Sequence, residues 1–172
     1  MKTVSWRHTD WNARHFVFTI GQEVIGQLTF NSSWNFNAVY TDKENNLRFS
    51  QKSFWDRDVI VTQGGKPVGE IKNDFFFGRQ TLKLPSGETF LLSSNVWGRN
   101  VNWKNDRGEV VVRYQQATLS SMGMGLISID ASLTSETERL LVSTGLFARQ
   151  LLHKRVALML AFMIPVWAAG SR

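Results

Sequence analysis

Val59-Ile60-Val61-Thr62 runs into Gly64-Gly65, and the reading of this stretch decides the fold. A run of β-branched residues meets a Gly-Gly pair, and glycine takes the positive φ that a tight hairpin turn requires. The same pairing of signals recurs on both sides. Turns are read at Gly21-Gln22, Glu44-Asn45-Asn46, Ser86-Gly87 and Arg107-Gly108, in steps of about 21 or 22 residues. Between them lie Phe16-Val17-Phe18-Thr19-Ile20, Thr89-Phe90-Leu91-Leu92 and Val110-Val111-Val112-Arg113-Tyr114. A second register falls halfway between the turns, where Trp34, Trp55, Phe76 and Trp97 stand 21 residues apart. If the glycines mark one end of a meander, these aromatics mark the other. One step then equals two strands of roughly seven or eight residues plus two turns.

The expectation is a mainly β protein with about eleven or twelve antiparallel strands between residues 12 and 131, joined up and down. So many strands close into a barrel or stack as a sandwich, because an open sheet leaves unpaired edges. The chain has 172 residues, the size of one domain. Its 42% apolar and 20% charged residues suit a packed core. The absence of cysteine excludes a disulfide framework, thiolate zinc sites and thiol nucleophiles.

The pattern turns helical after Asp130. Ser135-Glu136-Thr137-Glu138 fits a capping box, with Ser135 as cap and Glu138 reaching back to it. Leu140, Leu141, Phe147, Leu151 and Leu152 follow at helical spacing, so a helix is expected over about 135–169. Val156–Ala169 is 14 residues without a charge. Such a helix must be surrounded by protein or lipid, and at about 21 Å it is short for a bilayer core of roughly 30 Å. The length favours a buried helix filling the barrel. The alternative is a C-terminal membrane anchor over Leu151–Ala169, with His153-Lys154-Arg155 at the headgroups.

Charge narrows the partners. Residues 1–138 hold 15 basic and 14 acidic side chains, whereas Arg139, Arg149, Lys154, Arg155 and Arg172 follow without an acid. The body is thus almost neutral, unlike a nucleic-acid binder that spreads its bases over one folded face. The polar N-terminus lacks the apolar core of a secretory peptide, and the expected location is cytoplasmic.

Catalytic patterns are sparse. His8, His15 and His153 are scattered, no Gly-x-Ser-x-Gly elbow or phosphate-binding glycine loop follows a strand, and Gly123 and Gly125 lack strand-turn-helix context. Asp56 and Asp58 flank Arg57 and would share one face of a strand, which could suit acid–base pairing but reads first as a solvated strand end beside a Trp turn. No enzyme, metal or cofactor is expected. Arg57, Arg79 and Arg99 each follow the aromatic register by two or three residues. They read as a basic rim suited to phosphate, or as edge charges that discourage aggregation.

This layout, over roughly residues 14–169, resembles the tubby C-terminal-like superfamily of tubby domains, phospholipid scramblases and LURP-one-related proteins. Val24-Ile25-Gly26-Gln27-Leu28, Ser53-Phe54-Trp55 and Pro67-Val68-Gly69-Glu70-Ile71 are similar to the family's strand phrases. The resemblance implies a closed barrel of about twelve strands threaded by a hydrophobic C-terminal helix. It also implies lipid association without catalysis, peripheral at a membrane; Arg57, Arg79 and Arg99, singled out by their spacing, are the candidate contacts for anionic phospholipid. The cysteine cluster and Pro-rich N-terminal region of scramblases are missing. Asp130, Ser132, Thr134, Glu136 and Glu138 loosely resemble a calcium loop but lack the central glycine of an EF-hand. A protein-interaction module using the Trp-rich barrel end is the alternative on the same fold.

Overall fold

The computed structural model describes residues 1–32, 37–51, 58–73, 79–94, 100–117 and 123–169, with side chains as far as His153. The strands in chain order are β1 (Lys2–His8), β2 (His15–Ile20), β3 (Glu23–Phe30), β4 (Ala38–Thr41), β5 (Asn46–Gln51) and β6 (Val59–Gln63). There follow β7 (Lys66–Asn73), β8 (Gln80–Lys83), β9 (Thr89–Ser94), β10 (Asn100–Lys104), β11 (Val110–Gln116) and β12 (Met124–Ile129), then the helix α1 (Ser135–Ala169). Each strand pairs antiparallel with its neighbours in sequence, and β1 pairs with β12 to close the barrel. Closure removes both sheet edges.

The hairpin at Gly64-Gly65 has φ of 56° and 80°, with Gln63 opposite Lys66. Two successive positive φ values give the type I′ geometry whose twist matches the flanking strands. The turn at Glu44-Asn45-Asn46 instead relies on Asp42, whose Oδ1 accepts the N–H groups of Glu44 and Asn45 at 2.9 and 2.8 Å. Register shifts at Phe18/Thr19, Val61/Thr62 and Trp103/Lys104 lie next to the turns at Gly21-Gln22, Gly64-Gly65 and Arg107-Gly108. Bulges there add twist at the barrel rim, where the sheet must curve to close.

One strand precedes the expected range. Lys2–His8 reads as a polar terminus, yet Val4 and Trp6 alternate with Thr3, Ser5 and Arg7 and point into the core. Two inward residues suffice, because β12 and β2 supply hydrogen-bond partners on both sides.

Alternation sends Phe16, Phe18, Leu28, Leu47, Phe49, Val61, Ile71, Leu82 and Trp103 inward from the wall. Eight strands already make a barrel that side chains can fill, and diameter grows with strand number. Twelve strands therefore enclose a lumen that needs a further element, and a helix about 10 Å across supplies it. Every residue of α1 from Leu140 to Leu151 is buried. Leu140–Leu151 is thus inside the barrel, while the side chains of the apolar run Val156–Ala169 lie outside the described residues. Phe147 stacks between Phe30 and Phe49, with ring centroids 5.6 and 4.5 Å away. Trp103 Nε1 donates to the Leu141 carbonyl at 3.1 Å, and the Tyr114 hydroxyl reaches the Leu141 and Val142 carbonyls at 2.7 and 2.9 Å. Burial pushes the Tyr114 hydroxyl well above its ordinary pKa, which keeps it a donor.

The helix cap sits one residue before Ser135. Thr134 Oγ1 accepts the Thr137 N–H at 3.2 Å and the Thr134 carbonyl accepts that of Glu138 at 2.8 Å, so Thr134 is the cap. Glu138 does not reach back. It pairs with Lys2 Nζ at 2.7 Å and ties the helix to β1.

Candidate functional site

The up-and-down order sorts the connections into two ends. Tight turns, and the segment leading into α1, close one end. The connections 9–14, 31–37, 52–58, 74–79, 95–99 and 117–123 all belong to the other. The helix enters at the turn end, where Arg139 Nε pairs with Asp42 at 2.8 Å. Burial ends with Leu151, and His153 is exposed, so the helix leaves the barrel at the opposite, exit end.

The 21-residue registers now have a cause: each step is one hairpin pair, so alternate connections share an end. Trp34, Trp55, Phe76 and Trp97 fall one each in the exit-end connections and lie outside the described residues, as do Arg57 and Arg99. Arg79 is described; it is exposed and immediately precedes β8. Beside it a polar cluster joins three strands. Gln80 Nε2 donates to Asn73 Oδ1 at 2.8 Å, Asn73 N–H donates to Asp58 at 3.1 Å, and Lys72 lies 3.8 Å from Asp58. Asp58 is thereby occupied in holding β6 to β7, while Asp56 lies outside the described residues.

Charge is distributed unevenly along the barrel axis. Of the 14 acids in the sequence, only Asp10, Asp56, Asp58 and Asp74 belong to exit-end connections. The same connections carry five bases, Arg14, Lys52, Arg57, Arg79 and Arg99, with Arg7 near the end of β1 and Arg149 on α1 beside them. At the turn end, Glu23, Asp42, Glu44, Glu138 and their neighbours outnumber the bases.

Arg149 is the residue that sequence reasoning missed here, having been counted only as tail charge. It is buried in the barrel mouth, its guanidinium 4.9 Å from the Trp6 ring centroid and donating to Gln116 Oε1. Burial draws its pKa down to about 10, still charged at neutral pH. A planar cation that stacks on an indole can cross an aromatic mouth where an ammonium would need more water.

The histidines take structural roles where described. His8 Nε2 accepts the Gly123 N–H, so His8 Nδ1 carries the proton and donates to the Asp10 carbonyl at 2.7 Å. His15 Nδ1 lies 3.2 Å from Thr29 Oγ1. The residues that resembled a calcium loop divide between other tasks. Asp130 accepts the Ser132 N–H at 2.9 Å, Thr134 caps the helix and Glu138 pairs with Lys2. Among the described residues no cluster of three or more His, Asp or Glu is arranged to hold a metal.

Asp10 organises connection 9–14. Partial burial opposes its charge, but the N–H groups of His15 and Arg14 outweigh this and hold the carboxyl below its ordinary value. A lowered folded-state pKa stabilises above the unfolded value of about 3.9 and is lost as pH falls through the folded one. Amide exchange in residues 9–15, corrected for intrinsic rate, should therefore be flat from neutrality to about pH 5 and accelerate below about pH 4. Acceleration already near pH 6 would assign the control to histidine instead.

No family model, curated protein or solved structure matches this chain. Among the described residues no helix is long and apolar enough to cross a membrane.

Proposed function

We propose that this chain is a non-catalytic barrel of the tubby-like and scramblase-like kind that associates peripherally with anionic phospholipid through its exit end. Arg57, Arg79 and Arg99 are the proposed headgroup contacts. The observation that carries the reading is the uneven charge along the barrel axis: the turn-end connections hold six acids against two bases, whereas the exit-end connections hold five bases against four acids. Guanidinium groups bind phosphate oxygens in bidentate fashion, and a basic end facing an anionic surface also orients the approach.

The test is flotation of the full chain with neutral and with anionic vesicles, at low and high salt. Binding to anionic vesicles that salt reverses is expected. Each base near an anionic surface contributes about 1 kcal/mol, so replacing Arg57, Arg79 and Arg99 together by alanine should weaken binding about 100-fold. Equal binding of wild type and triple variant would remove these three residues from the site. Failure to float with either vesicle would remove the lipid reading and leave a barrel whose partner is a protein.

A further inference from the structure

Trp11 is 91% exposed at the tip of connection 9–14, on the exit end. Tryptophan is seldom left in water, because its large apolar body gains from burial while its N–H tolerates a wet boundary. The support beneath it is well tied. Asp10 Oδ1 accepts the N–H groups of Arg14 and His15 at 2.9 and 3.0 Å. The Asp10 carbonyl accepts from Ala13 at 3.2 Å and from His8, and Thr9 N–H donates to the His15 carbonyl at 2.9 Å. The indole is therefore displayed on a fixed turn.

Further exposed apolar groups lie on the adjoining outer wall. Met124, 40% exposed, lies opposite Arg7 across the β1–β12 pair, and Leu126, 46% exposed, lies opposite Ser5. Trp11 on the connection that leaves β1, and Met124 and Leu126 on the adjoining β12, thus give this side of the exit end exposed apolar groups, with exposed Arg7 on β1 beside them. A convex tip with apolar flanks and an adjacent base suits a deformable surface that is anionic at its boundary and apolar beneath. Indole rings concentrate at that boundary in membrane proteins.

We propose that Trp11 inserts into the headgroup–acyl boundary of an anionic membrane, with Met124 following and Arg7 remaining at the phosphates. This rests on the lipid reading above and adds to it the apolar contact and the sector of the rim that enters. An insertion of the usual 5–10 Å at such boundaries would reach Met124 but leave the middle of the barrel wall in water.

The experiment uses the full chain with vesicles of equal parts phosphatidylcholine and phosphatidylserine, with and without acyl-brominated lipid as a fluorescence quencher. Trp11→Ala should bind about ten-fold more weakly, since most of an exposed indole's area is no longer buried. It should also lose part of the bromine quenching seen in wild type. Val24→Ala, at a half-exposed apolar position at the turn end, should match wild type in both readouts. Wild-type affinity and quenching in Trp11→Ala would overturn the insertion while leaving the lipid reading intact. So would equal weakening in both variants. If wild type itself fails to float, both readings fall together.

Discussion

Replacing Phe147 by alanine is expected to destabilise the protein by about 4 kcal/mol, the range found when a fully buried phenylalanine is truncated. Phe147 is 0% exposed and lies nearly parallel to both neighbours, tilted 7° to Phe30 and 17° to Phe49. It therefore touches the barrel wall through two aromatic faces at once. Neither neighbour can follow an alanine inward, because each is fixed by its own hydrogen-bonded strand, so a cavity remains in the lumen. Against a total stability of about 5–15 kcal/mol, this is a large fraction. Urea unfolding followed by tryptophan fluorescence measures it, and Phe147→Leu should recover roughly half of the loss. A loss below about 1 kcal/mol would mean that the helix contributes little to the core and that the barrel stands without it.

The features of the wall that were legible in the sequence are those with a strict local cause. Gly64-Gly65 demands a turn, alternation over Phe16–Ile20 demands two faces, and the recurrence of both at about 21 residues demands a meander. Strand β1 was hidden because it carries only Val4 and Trp6 as inward apolar residues, a pattern too short to stand out. The buried part of α1 showed in the sequence as an apolar face, but not as a segment buried on every side. A search for buried helix looks for an uninterrupted apolar run, and Val156–Ala169 answers that description better than Leu140–Leu151, which contains Ser143, Thr144, Gly145, Arg149 and Gln150. Several of these polar groups satisfy themselves locally. Ser143 Oγ donates to the Arg139 carbonyl at 2.9 Å and Thr144 Oγ1 to that of Leu140 at 2.6 Å, leaving their methylene and methyl groups to the core. Helical backbone acceptors thus make polar side chains compatible with burial inside the barrel.

The candidate site was legible in part. The spacing of Arg57, Arg79 and Arg99 by about one hairpin pair follows from sequence, and the strand order assigns their connections to one end. What no periodicity revealed is that most of the acids collect at the opposite end, since they are spread along the chain and separate only when alternate turns are sorted to opposite ends. Trp11 and Arg149 were equally silent. One lies in a short polar connection and the other in a basic tail, and only the folded chain exposes the first and buries the second.

Gly145 leads to the second large effect. A Cβ built on Gly145 would stand 2.3 Å from the Tyr114 hydroxyl oxygen and 2.5 Å from the ring carbon that bears it. The ring cannot withdraw, because Tyr114 is buried on β11 and its hydroxyl holds the carbonyls of Leu141 and Val142. On an exposed helix, glycine to alanine would stabilise by about 1 kcal/mol. Here the methyl group must displace either the helix or the strand, and overpacking of this kind costs about 1–3 kcal/mol. Displacing the hydroxyl adds about 1–3 kcal/mol for a buried donor and carbonyls left short of partners. Gly145→Ala should therefore lower stability by about 2–4 kcal/mol, opposite in sign to the propensity effect. Tyr114→Phe would relieve little, since the ring carbon remains in the way. Tyr114→Val should make the alanine at 145 tolerable, so the double variant would be less destabilised than the two single losses combined. Strict additivity in that cycle would show that the helix does not approach β11 at Gly145, and the depth of α1 in the barrel would have to be redrawn.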